Sequence, residues 1–151
     1  MNPENKPDSS ADCAVAVGLL VHFFEHLSPD SLAALDQHYA ADARFKDPFN
    51  DVCSLSEIKG IFEHMFASLR QPRFVITERL VQSRQCFLTW EFHFAFAKYQ
   101  PDQPQCIYGA SHLKFAEDGL VTLHRDYWDA AEELYEKLPL IGSLLRWIKP
   151  R

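Results

Sequence analysis

The chain has 151 residues, a net charge of −6, and a composition that is 47% hydrophobic and 13% aromatic. That length gives one domain with room for a substantial core, and an acidic balance without a basic stripe excludes a nucleic-acid footprint. No run is apolar for the length that spans a membrane. The four cysteines, Cys13, Cys53, Cys86 and Cys106, form no CxxC pair and follow no signal peptide. Reduced, buried thiols in a cytoplasmic protein are the simplest reading.

Residues 1–12 are polar, include Pro3 and Pro7, and read as a flexible leader. In residues 13–27, Ala16, Leu19, Leu20, Phe23, Phe24 and Leu27 have helical spacing. Ser28 and Pro29 end that helix and start another as N-cap and first helical residue, with Leu32, Leu35 and Tyr39 on its buried face. Residues 43–49 read as a short extended segment stopped by Pro48. Ser54 and Glu57 form a capping box for a third helix, whose stripe is Ile58, Ile61, Phe62, Met65, Phe66 and Leu69. Four β-rich runs follow, 74–82, 86–99, 105–115 and 120–128. Their short connections predict antiparallel neighbours. Helices first and a meander afterwards make an α+β domain with the helices on one face of the sheet.

The last of these runs carries the candidate chemistry. Alternation along a strand puts His124, Asp126 and Trp128 on one face. A carboxylate between an imidazole and an indole is paired, perturbed, or at the mouth of a cavity. Phe45 and Asp47 share one face of the short strand. If both aspartates face the interior they form a carboxylate pair in an aromatic pocket, the arrangement for acid/base work on a water or a carbon acid. His93 or His124 would then shuttle or orient a proton. The alternative is that Asp47 caps or salt-bridges with Arg44 or Lys46, while Asp126 pairs with an arginine. His22 and His26 have helical i, i+4 spacing but no third ligand, so they read as ordinary helix histidines.

With two N-terminal helices, the Asp42 to Pro48 segment, a capped third helix and a long sheet, the chain resembles the nuclear-transport-factor-2-like (NTF2-like), or SnoaL-like, superfamily over roughly residues 14–140. The resemblance implies an NTF2-like cone, in which helices pack on a strongly curved antiparallel sheet. Asp47 falls where ketosteroid isomerases keep their general base. The Arg125 to Asp129 stretch is similar to the last strand of limonene-epoxide hydrolase, which would make Asp126 the water-activating base. The isomerase's oxyanion-hole positions fall near Phe23 and Ser111, which cannot supply a tyrosine or a protonated acid. The hydrolase's Arg-x-Asp falls on Trp90 to Phe94, with Glu91 and His93 in place of the pair, and its water-holding positions fall on Phe45 and Asp47.

The candidate catalytic residues are therefore Asp126, Asp47, His93 and Glu91, and the candidate ligand-binding residues are Phe23, Phe45, His124 and Trp128. No metal or organic cofactor is called for. The expected ligand is a small apolar molecule. Two classes of function follow: a hydrolase or isomerase that activates water or abstracts a proton, and a non-catalytic module that binds a ligand or a protein. Apolar residues on both faces of the 86–99 strand predict a homodimer through the sheet's outer face. Asp129 and Glu132 cap a last helix that Pro139 ends. The amphipathic tail 140–151 can close over the pocket, pack on a partner subunit, or touch an anionic membrane surface, with packing ranked first.

Overall fold

The computed structural model of the protein describes residues 9–135. Most of the expected leader, the end of the last helix and the whole 140–151 tail, with its lid, packing and membrane readings, lie outside the described residues. Among those that are described, no helix is long and apolar enough to cross a membrane.

Helix α1 spans Ser9–Glu25 and buries Cys13, Val17, Leu20, Val21 and Phe24, one stripe at helical spacing. Leu19, expected in that stripe, faces solvent. A 3-10 helix follows at Asp30–Gln37. Ser28 Oγ accepts from the Ser31 amide at 3.1 Å and Ser31 Oγ from the Ser28 amide at 2.9 Å, a reciprocal cap on its first turn. Helix α2, Leu55–Ser68, starts at the predicted capping box: Ser54 Oγ accepts from the Glu57 amide and donates to Glu57 Oε2 at 2.7 Å. It ends at Leu69, whose backbone is already extended, because Pro72 cannot continue a helix.

The strands are β1 Tyr39–Lys46, β2 Asp51–Val52, β3 Leu69–Gln82, β4 Gln85–Phe96, β5 Gln105–Phe115 and β6 Val121–Tyr127. They form one sheet in the order β2-β1-β6-β5-β4-β3. This corrects the expected cone. The sheet is mixed, since β1 runs parallel to β6, and it is open at β2 and β3 rather than closed or strongly curled. Bulges are what bend a sheet sharply, and the central β4–β5 ladder has none from Gln85↔Lys114 to Phe94↔Gln105. The register shifts lie in the flanking pairs, at Arg70/Arg73 and Ile76/Glu78 against β4 and at Lys114/Phe115 against β6.

Helices α1 and α2 lie against β3 and β1 and cover the inner face of the sheet. Even-numbered residues of β4 from Cys86 to Phe96 point to that face, and odd-numbered ones to the opposite, outer face. The turn before β6 is built on Gly119 at φ +83, with Asp118 Oδ1 accepting from the Leu120 amide. Asp129 Oδ1 accepts from the amides of Ala131 and Glu132, as the predicted cap requires, and opens a short π-helical turn, Ala131–Tyr135.

Candidate functional site

Four strands bring one polar chain to the inner face. Asp126 pairs in register with Ser111 on β5, and His124 with Leu113 on β5 and Phe45 on β1. Trp90 on β4 lies opposite Gly109. A Cβ at residue 109 would collide with the indole, so glycine is what lets Trp90 lie across β5. The Trp90 indole N–H donates to Ser111 Oγ at 2.9 Å, and Ser111 donates to Asp126 Oδ1 at 2.5 Å. His124 Nε2 stands 2.7 Å from the same oxygen, and its Nδ1 stands 2.6 Å from the hydroxyl of Tyr39.

The proton positions follow from what each group can do. An indole only donates, so Ser111 accepts from it and passes its own hydrogen to the carboxylate. Burial, with Asp126 adding to it, holds the Tyr39 phenol well above the usual tyrosine range. Tyr39 is therefore a neutral donor to Nδ1, which leaves the imidazole hydrogen on Nε2, facing Asp126. Phe24, Phe45 and Tyr39 surround the imidazole, with ring centres 4.8–6.0 Å away. Among the described residues Asp126 Oδ1 takes both bonds and Oδ2 takes none.

Asp126 borders two hollows. On the inside is a cavity of about 30 Å³ lined by Phe24, Phe62, Phe74, Leu88, Trp90, Ser111 and His124, among others. On the outside is an open concavity of about 830 Å³ bordered by Lys46, Asp47, Tyr127, Trp128 and Asp129, among others. The carboxylate side chain is 17% exposed, between the two.

The other predicted residues are dispersed. Asp47 borders the outer concavity, but its Oδ1 accepts from the amides of Phe49 and Asn50, and both its oxygens take Asn50 Nδ2. It holds the turn between β1 and β2. Glu91 and His93 bond to each other at 2.8 Å on the outer face, across the sheet from Asp126. Phe23 is buried against Phe24 and His38, outside the inner cavity's lining. Trp128 meets Phe49 edge-on at the outer concavity. Sequence reasoning gave no site role to Tyr39, Trp90 or Ser111. Alternation along β4 and hairpin counting from Gly119 carry the signal for the latter two; Tyr39 is joined to β6 only by the parallel pairing. The expectation of buried cysteines holds for Cys13 and Cys86, whereas Cys53 is exposed and Cys106 half-buried.

The family model described as a SnoaL-like domain matches residues 20–124. The chain belongs to the SnoaL-like family. Among solved structures this SnoaL-like chain is similar to an LEH-like epoxide hydrolase of M. tuberculosis, at 12% identity and a TM-score of 0.68, covering 97% of this chain and 99% of that one. It is similar to a putative SnoaL-like polyketide cyclase of Shewanella putrefaciens at 18% identity, TM-score 0.66, covering 82% and 98%. A hypothetical protein of Catenulispora acidiphila with a ketosteroid isomerase-like fold, solved with trimethylamine, matches at 16% identity, TM-score 0.66, covering 80% and 89%. At these identities the likeness shows a shared NTF2-like fold. No curated protein sequence matches the chain.

Proposed function

We propose that this SnoaL-like domain is an enzyme that holds a small apolar molecule beside Asp126 and uses that carboxylate as a general base, on a water or on an acidic C–H. The observation that carries the reading is the state of Asp126. Its Oδ1 is fixed by Ser111 and by a His124 whose tautomer Tyr39 sets, while Oδ2 takes no bond among the described residues. A base held this way loses little orientation on reaction. The inner cavity has room for water, which needs on the order of 10–15 Å³ and polar partners. The outer concavity has room for the molecule acted on, with Trp128 as an aromatic wall. In the hydrolytic version a water gives a proton to Asp126 Oδ2 as its oxygen attacks an electrophilic carbon. The same proton then returns to the departing oxygen. The step uses side chains alone. The trimethylamine-bound protein among the similar folds supports a small molecule as the ligand.

One observation favours a binding module instead. Asp47 is occupied with its own turn, and Glu91 and His93 lie on the other face, so none of these three bonds to Asp126. Screening small epoxides and carbonyl compounds against the wild type and Asp126→Asn separates the two. Catalysis predicts turnover that Asp126→Asn abolishes while its melting temperature holds. Saturable binding without turnover, unchanged in Asp126→Asn, establishes the binding module and ends the catalytic reading.

A further inference from the structure

The outer face carries a second cluster that the pocket does not use. On β4, Glu91 and His93 are two residues apart and therefore on one face. Cys106 of β5 stands directly opposite His93, and Tyr108 opposite Glu91. His93 Nε2 is 2.8 Å from Glu91 Oε2 and 4.0 Å from Cys106 Sγ, and the three ligand atoms all lie within 4.8 Å of one another. Glu91 and His93 are each about a third exposed, so solvent reaches them.

The wiring separates this cluster from a catalytic triad. In a triad the imidazole relays through its two nitrogens, one toward the nucleophile and the other toward the acid. His124 is wired that way, with Nδ1 on Tyr39 and Nε2 on Asp126. His93 is not: the same nitrogen, Nε2, faces both the thiol and the carboxylate. A nitrogen, a sulfur and an oxygen converging on one point are the donor set of a metal ion. Among the described residues Glu91 bonds to His93. Three electron-rich donors thus crowd one spot.

We propose that Glu91, His93 and Cys106 form a binding site for a borderline-soft divalent cation, zinc above all, on the outer face of the sheet. A thiolate and an imidazole select zinc, cobalt or copper over magnesium or calcium. Bonds of about 2.0 Å to nitrogen and oxygen and about 2.3 Å to sulfur put tetrahedral ligands roughly 3.3–3.8 Å apart. The 2.8 Å contact has to open and the 4.0 Å contact to close slightly, which side-chain rotation on a rigid ladder accomplishes. Cys106 loses its proton as the metal binds, and the imidazole binds in its neutral form, so affinity falls with falling pH. Three protein ligands leave a fourth position for water or for Tyr108.

Cobalt(II) titration of the full chain tests the site. The expected result is one cobalt per chain, with thiolate-to-cobalt charge-transfer absorption that zinc bleaches by displacement. Cys106→Ser and His93→Ala should lose that absorption, and Glu91→Gln should weaken binding by more than about tenfold. Cys53→Ser, which changes the exposed thiol, should leave it intact. No charge-transfer band in the wild type, or a band that persists in Cys106→Ser or His93→Ala, overturns the proposal. So does a band lost in Cys53→Ser.

Discussion

Replacing Asp126 with alanine removes the acceptor of two short bonds, from Ser111 at 2.5 Å and His124 at 2.7 Å, in a side chain only 17% exposed. A hydrogen bond to a charged group contributes about 1.5–3 kcal/mol net, so two give roughly 3–6 kcal/mol. The adjoining cavity of about 30 Å³ lets water enter and satisfy part of the loss. The expected cost of Asp126→Ala is therefore ~2–4 kcal/mol. For a domain of this size that lowers Tm by roughly 5–15 °C. Asp126→Asn keeps an acceptor oxygen in the Oδ1 position and should cost less than ~1 kcal/mol. Calorimetry or thermal circular dichroism at neutral pH reads both. An alanine variant melting with the wild type would refute the network. An asparagine variant falling as far as alanine would mean that His124 is a charged partner in an ion pair, and the neutral tautomer would be wrong.

Gly109→Ala forces the Trp90 indole off β5; overpacking of this kind costs about 1–3 kcal/mol, and the near-ultraviolet circular dichroism of the tryptophans should change with it. Burial pushes the Cys86 thiol up to about 12. The unfolded thiol, at its ordinary value of 9.0, loses its proton first, so folding stability falls as pH rises between the two, by up to about 1.4 kcal/mol per pH unit. Urea titrations across that window should show a flatter slope in Cys86→Ala, and an unchanged slope would remove Cys86 as the cause. The outer face exposes Leu80, Phe87, Tyr108 and Tyr127, and a homodimer through them predicts dimeric sedimentation at micromolar concentration that Phe87→Glu abolishes. A monomeric wild type rejects it.

Local chemistry made much of the fold legible. The Ser54–Glu57 box, the Asp129 cap and the Gly119 turn are each settled by residues three or four apart, and each stands where the sequence puts it. Alternation correctly grouped His124 with Asp126 because period two is a property of one strand. The hidden features were the non-local ones. Tyr39 reads as a helical residue in its own neighbourhood, and its place on β1 depends on pairing with a strand that comes long afterwards. Whether the sheet curls depends on where bulges fall, and the uninterrupted β4–β5 ladder leaves no mark in hydrophobic pattern. Asp47 was ambiguous for a similar reason. An Asp-Pro-Phe-Asn sequence turns on its own first side chain, and that use competes with any role in a pocket.

The bond between Tyr39 and His124 joins residues 85 apart in the chain, and this sets an order of events during folding. Closing so long a loop costs entropy that only the finished contact returns. On a ribosome, α1, α2 and the first strand emerge well before β6 exists. Until β6 arrives, Phe24 and Phe45 lack the imidazole they enclose, and β1 lacks one of its two neighbours. Asp126 and the groups bonded to it can thus come together only after β6 is made, so a chain stopped before residue 121 contains both helices and Tyr39 but neither His124 nor Asp126.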